Sequence, residues 1–425
     1  DRLRNDWLLL LGQRRDWTQF AAEYPRFRMN DDREVRCYAL AMDHLRAGTD
    51  TSAEVRRLWH SLREADDGCT FAADRLHESR RLSDLDVWRK ARLAMESKRT
   101  RSAQAAVAIV TPDAATAVNE IASQPVRYLA SRATAGSRLR KELVVLALVR
   151  LAADDPAQAA QLLENKWGVH LTPEERNWTW GAIGRQAANR LQDDAVDHFA
   201  KVTQDEDLSD EMLAWKVRAS LRKGQWRAVL SATGAMSEDM RRDPAWTYWR
   251  ARALLAGLPR EEQARVASAG PESRPALQQA RQLLESIASV RGFYEQLALE
   301  DLGQKVSVPA RPAPLTDAER EAARLNPGLN RALYAIALGL RGEGVREWNY
   351  TTNLHRPGGM AERDLLAAAD FACQRQVWDR CINTSERTRT AFDHEQRFPM
   401  PFREAVTARS QGIGLDPAYV YGLIR

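Results

Sequence analysis

The 425 residues hold only four cysteines and seven histidines, and neither set builds a chemical motif. The cysteines form two local pairs, Cys37 with Cys69 and Cys373 with Cys381, without C-x-x-C spacing, and neighbouring His44 and His77 complete no metal-ligand pattern. The composition therefore excludes the usual zinc sites. The cysteines keep two readings, buried thiols in a cytosolic protein or disulfides in an exported one. No apolar run approaches the roughly 20 residues of a membrane span. Asp1 to Arg4 is charged, and Trp7 to Leu11 is too short for the apolar region of a signal peptide, so no signal peptide is read within this chain. Neither a Gly-rich phosphate loop nor a Ser-His-Asp order is present, and no cofactor is expected. Charge of one sign is also scarce. The 63 basic residues against 58 acidic ones leave +5, spread along the chain, which excludes the concentrated basic face of a nucleic-acid binder. A weak attraction to an anionic polymer is compatible with it; an ordinary solvated surface explains it as well.

What the sequence does contain is a single repeated pattern: an apolar stripe at helical spacing, a polar turn, then a second stripe. Leu146, Leu148, Val149 and Leu151 line one helix, Asp154-Asp155-Pro156 turns, and Ala159, Ala160, Leu162 and Leu163 line the next. Similar turns fall at Asp193-Asp194, Lys223-Gly224-Gln225-Trp226 and Ala256-Gly257-Leu258-Pro259. Steps from 155 to 194, 224 and 257 are 39, 30 and 33 residues, near the roughly 34 of helix-pair repeats but irregular. Strand patterns are nearly missing, and Val107 to Val110, the one β-prone run, reads as the end of an Ala-rich helix before Thr111-Pro112. The expected fold is all-α, a superhelical solenoid of helical hairpins, ring- or horseshoe-like. Three prolines between Pro309 and Pro314 stop helix continuation. Residues 1–308 are read as the superhelix, 309–314 as a linker, 315–395 as a small helical linker domain, and 396–425 as the start of a third domain.

Thirteen tryptophans are read as knobs between helices, because aromatic side chains bury the most area. Trp17, Trp226 and Trp378 follow turns, and Trp246 and Trp249 share a face. Trp178 and Trp180 point to different sides of one helix, which leaves one of them room to be exposed. Asp31-Asp32, Asp66-Asp67, Asp154-Asp155 and Asp193-Asp194 mark turns and helix caps rather than catalytic pairs.

The chemistry-bearing stretch is the last one. Arg397-Phe398-Pro399 to Phe402 leads into a helix, Gly412 to Gly414 break it, and Asp416-Pro417 caps a new helix running Ala418 to Arg425. These two stretches resemble the R-F-P-x-x-[FY] and A-[YM]-x-x-[GA]-[LI]-[IA]-R-Q-E-S segments of the soluble lytic transglycosylase family. Upstream, Ala245 to Arg252 and Val290 to Tyr294 resemble that family's W-x-Y-W-x-A and R-G-F-Y segments, in the same order. The resemblance implies a helical superhelix, a linker domain and the opening of a lysozyme-like domain. It further implies a periplasmic enzyme that cuts MurNAc-GlcNAc bonds of peptidoglycan and leaves 1,6-anhydromuramic ends. The family's catalytic glutamate would stand second after Arg425, so no catalytic residue is assigned within the chain and the chain alone is expected to be inactive. The family's G-x-x-G-L-M-Q and A-Y-N-A-G motifs are missing. A disulfide matching Cys37 and Cys69 is also implied, and a bridge between Cys373 and Cys381 would clamp one hairpin. Expected partners are glycan strands and other cell-wall enzymes, with a monomeric chain. The competing expectation is a non-enzymatic helical-repeat scaffold binding a protein or glycan.

Overall fold

The computed structural model describes residues 1–354 and 359–425, and among them every regular element is helical. The first fifteen α-helices are α1 (Arg2–Gln13), α2 (Trp17–Glu23), α3 (Arg33–Ala47), α4 (Ser52–Ser61), α5 (Asp67–Glu78), α6 (Asp84–Glu96), α7 (Thr100–Val110), α8 (Ala115–Ser123), α9 (Pro125–Ser131), α10 (Arg138–Ala152), α11 (Pro156–Leu162), α12 (Pro173–Asn189), α13 (Ala195–Ala200), α14 (Asp210–Arg222) and α15 (Trp226–Ala235). Their starts follow from local chemistry. Asp32, Asp66 and Asp155 each accept a backbone N–H three residues on, at 3.0, 2.7 and 2.9 Å, and Thr172 with Glu175 forms a reciprocal capping box. Asp193 and Asp194 lie in the turn before α13, where Asp193 pairs with Lys223 at 2.9 Å. Val107 to Val110 is the last turn of α7.

Two compact units emerge. The larger comprises Gly12–Trp17 and Asp32–Ser307. Within it α6 packs on α4, α7 and α10; α12 packs on α10, α13 and α14; and α15 packs on α14 and on the helix Pro244–Ala256. Each hairpin thus buries its stripe on its neighbours, the logic of a solenoid. One apolar core runs from Cys37 to Ala253, and a second gathers residues between Tyr248 and Leu302, with Trp249 packed against both. Where Cβ atoms would collide, glycine allows closer approach. A Cβ on Gly68 would stand 2.6 Å from the Glu34 carbonyl oxygen, so glycine lets α5 lie against α3. Next to that crossing Cys37 and Cys69 are bridged, with Cα atoms 4.8 Å apart.

The smaller unit comprises Asp1–Leu11, Thr18–Asp31 and Val308–Arg425. Its helices include Pro327–Ala337, Arg341–Asn349, Glu362–Gln374 and Trp378–Ser385, around a core of Leu329, Ala332, Trp348, Ala368, Phe371 and Cys381. Trp348 donates to the Thr384 hydroxyl at 2.8 Å, which satisfies its indole N–H inside that core. Arg346 ties the early residues in, forking onto Asp31 at 2.6 and 2.7 Å and reaching Asn5 at 3.2 Å. The Cys373–Cys381 bridge, with Cα atoms 5.1 Å apart, joins the end of one helix to the first turns of the next. Residues 304–316, which include the prolines 309, 312 and 314, contain no helix.

Candidate functional site

Two places in the structure concentrate polar chemistry. The first is the C-terminal segment. Arg397 is buried, and its Nη2 donates to the Ser385, Thr388 and Ala391 carbonyls at 3.1, 3.2 and 3.1 Å and to the Thr388 hydroxyl at 2.9 Å. The Phe392 ring lies 4.0 Å beneath its guanidinium. A planar cation with several donors suits a loop whose carbonyls have no helix partners. Phe402 follows in the left-handed region, φ 54°, and starts the helix Arg403–Gly412. Asp416 caps the helix Pro417–Ile424 by accepting from Ala418 at 2.8 Å. Tyr421 donates to the Pro401 carbonyl at 3.0 Å, while Arg425 stacks 4.3 Å over Phe398 and pairs with Glu386. Tyr419, Leu423 and Ile424, spaced as if to face an apolar core, are exposed. The carboxylates here, Glu395, Glu404 and Asp416, are exposed too, and none lies in an apolar pocket.

The second place is a seam of buried charge in the larger unit. Arg92 is wholly buried on α6. Its guanidinium forks onto Glu142 of α10 at 2.9 Å and onto Glu174 of α12 at 2.9 Å. Burial alone would depress Arg92, but the two carboxylates outweigh it and raise its pKa. Burial pushes Glu142 up to about 7, with Arg92 opposing. One turn further along α6, Glu96 is also buried, taking a hydrogen bond from Trp178 Nε1 at 3.1 Å and one from Arg185 at 2.9 Å. Burial pushes its carboxyl up to about 7, with Arg185 pulling against it. Lys90 is buried as well and donates to the Trp59 and Leu62 carbonyls at 2.7 and 2.6 Å, closing the C-terminal end of α4; burial brings it down to about 8.

Two polar grooves open on this seam. One, of about 400 Å³, is lined by Arg138, Lys141, Glu142, Thr172, Glu174 and Glu175 among others. The other, of about 480 Å³, lies between the end of α4, the second half of α6, α12 and the start of α14. Among the described residues no cluster of His, Cys, Asp and Glu could hold a metal, and no helix is long and apolar enough to cross a membrane.

Trp178 and Trp180 differ from the sequence reading, which left room for one of them to be exposed. Both are buried, because α12 is covered by α10, α11, α13 and α14 on different sides. Trp180 stacks on His198 at 5.8 Å. The seam itself escaped sequence reasoning. Its one visible signal is charge at core-facing helical positions, Arg92 with Glu96 four residues on and Trp178 with Arg185 seven residues on.

No family model matches the chain. It is similar to the soluble lytic murein transglycosylase of Salmonella typhimurium, 23% identical over 317 residues that cover 73% of this chain and 45% of that protein. The Escherichia coli protein of the same name is 21% identical over 443 aligned positions, covering 98% of this chain and 61% of the relative. Among solved structures, an inactive mutant of the lytic transglycosylase Slt from Pseudomonas aeruginosa superimposes with a TM-score of 0.63 at 22% identity, over 99% of this chain and 65% of that one. The 70-kDa soluble lytic transglycosylase of Escherichia coli gives 0.54 at 17% identity, again over 99% and 65%. The fold is shared, and this chain spans less than two thirds of each of these proteins.

Proposed function

We propose that this chain, a member of the soluble lytic transglycosylase family, is the helical, non-catalytic body of a periplasmic enzyme that cleaves MurNAc-GlcNAc bonds and leaves 1,6-anhydromuramic ends. The observation that carries the reading is the C-terminal segment. Buried Arg397 fixes a loop, and the helix Pro417–Ile424 is tied to the residues beside that loop through Tyr421 and Arg425. Such an arrangement gives a following residue of the same helix a fixed bearing. In this reading residues 1–308 are the superhelix, 309–314 the linker, 315–395 the linker domain and 396–425 the opening of the lysozyme-like domain.

The reaction asks one carboxyl to protonate the glycosidic oxygen and then to accept a proton from the sugar's own hydroxyl. That group must begin protonated, which requires an apolar pocket. The exposed carboxylates of the segment do not meet this need, and the resemblance to the family's R-Q-E-S segment implies the glutamate second after Arg425. The substrate partner is the peptidoglycan glycan strand, with docking of other cell-wall enzymes on the helical body as a secondary role. The chain acts as a monomer and uses no cofactor.

Incubation of this chain with purified sacculi, followed by chromatography of the soluble fraction, tests the assignment of the catalytic group. No anhydromuropeptides above a buffer control are expected; their release would place the acid within residues 1–425 and overturn it.

A further inference from the structure

The groove of about 480 Å³ in the larger unit has a composition that selects its ligand. Its charged lining is three guanidinium groups, Arg63, Arg89 and Arg185, and three carboxylates, Glu96, Asp210 and Glu211. The volume is in the range of small-ligand sites. Arg63, on the stretch after α4, is exposed and makes no ion pair among the described residues, and Arg89 on α6 pairs with Glu174 at 3.4 Å. Asp210 and Glu211 stand together at the first two positions of α14.

The floor is held rigid between these elements. Glu96 is fixed by Trp178 and Arg185, and Arg185 continues to Glu211 at 2.5 Å. A buried ion pair of this kind is a poor device for stability, since apolar residues of equal volume usually serve as well or better. Beneath an open groove it has a different use, presenting charged groups in one fixed geometry. Leu93, Ala94 and Leu208 add apolar surface.

A neutral sugar is disfavoured, because the only tryptophan in the lining is Trp178, which is 2% exposed and has Arg89 and Arg92 within 5.8 and 5.4 Å of its ring. It has no free face on which a pyranose could stack. A polyanion is disfavoured by Asp210 and Glu211, whose carboxylates line the same groove. We infer that this groove binds a short zwitterionic peptide, with its carboxylate at Arg63 and Arg89 and its ammonium at Asp210 and Glu211. The peptide portion of peptidoglycan carries both groups, so the inference extends the function proposed above. It rests on that reading only for the ligand's source, not for its chemistry.

Titration of this chain with tetra-alanine bearing free termini, followed by calorimetry, tests the groove without any enzymatic assay. The N-acetylated, C-amidated tetra-alanine and chitotetraose serve as comparisons. Saturable binding of the free peptide is expected, weakened at least tenfold by blocking its ends and at least tenfold by Arg63→Ala or by Glu211→Gln. Both substituted residues are exposed, so the fold is retained, and circular dichroism verifies it. Equal binding of the blocked peptide, tighter binding of chitotetraose, no saturation by about 10 mM free peptide, or affinity unchanged in both variants would each overturn the inference. Loss of peptidoglycan cleavage by the parent protein has no bearing on any of these readouts.

Discussion

Glu96 shows how a single residue turns burial into a pH response. Its carboxyl is raised from 4.5 to about 7, first by desolvation, because the charged form must be kept where little water reaches. A folded-state pKa above the unfolded one means the folded state holds the proton more tightly. The associated stability is fully present below pH 4.5 and is lost as pH rises through 7. At about 1.4 kcal/mol per pKa unit, the change between pH 5 and pH 8 is roughly 2–3 kcal/mol. Glu96→Gln preserves an acceptor for Trp178 and removes the titration. The urea-unfolding free energy of the wild type, measured relative to that of Glu96→Gln, should therefore fall by that amount from pH 5 to pH 8. An identical difference at both pH values would show that Glu96 does not titrate in this window. None of this was legible in the sequence, where Glu96 is one of 58 acidic residues, because its burial comes from α12, some eighty positions downstream. Asp32, Asp66 and Asp155 were legible as helix caps, since a cap needs only the three residues that follow it.

At the scale of elements, the helical hairpins could be read directly, because each is written as local periodicity bounded by a turn. The close crossings could not, since they depend on which helix meets which. Helix Arg341–Asn349 carries two glycines with opposite roles. A Cβ on Gly344 would lie 2.6 Å from the Ala332 carbonyl oxygen on the neighbouring helix, whereas one on Gly342 would meet nothing within 4 Å. Gly344→Ala should cost about 1–3 kcal/mol by forcing the two helices apart. Gly342→Ala should stabilise by up to about 1 kcal/mol through helix propensity. Urea denaturation of the two variants beside the wild type measures both, and a Gly344→Ala protein as stable as the wild type would contradict the packing described here. The disulfides act at this scale too. Cys37–Cys69, with 32 residues of separation, constrains the unfolded chain by about 3–4 kcal/mol in the loop-entropy model, more than the eight-residue Cys373–Cys381 loop.

For the whole molecule, the helical architecture and the resemblance to soluble lytic transglycosylases are carried by different parts of the sequence. Apolar stripes along most of the chain give the solenoid, while short segments near 245, 290 and 397–425 carry the resemblance. Which residues share a compact unit was not legible locally. Asp31 and Arg346 meet across 315 positions, a distance no repeat or turn pattern spans. The function proposed above makes this helical body part of an enzyme whose acid follows Arg425. Mass spectrometry of the material that the full-length gene product releases from purified sacculi tests it most directly. Muropeptides ending in 1,6-anhydromuramic acid are expected, and they should be abolished when the glutamate second after Arg425 is changed to glutamine. Products with ordinary reducing ends, no released products, or a gene with no glutamate at that position would contradict it.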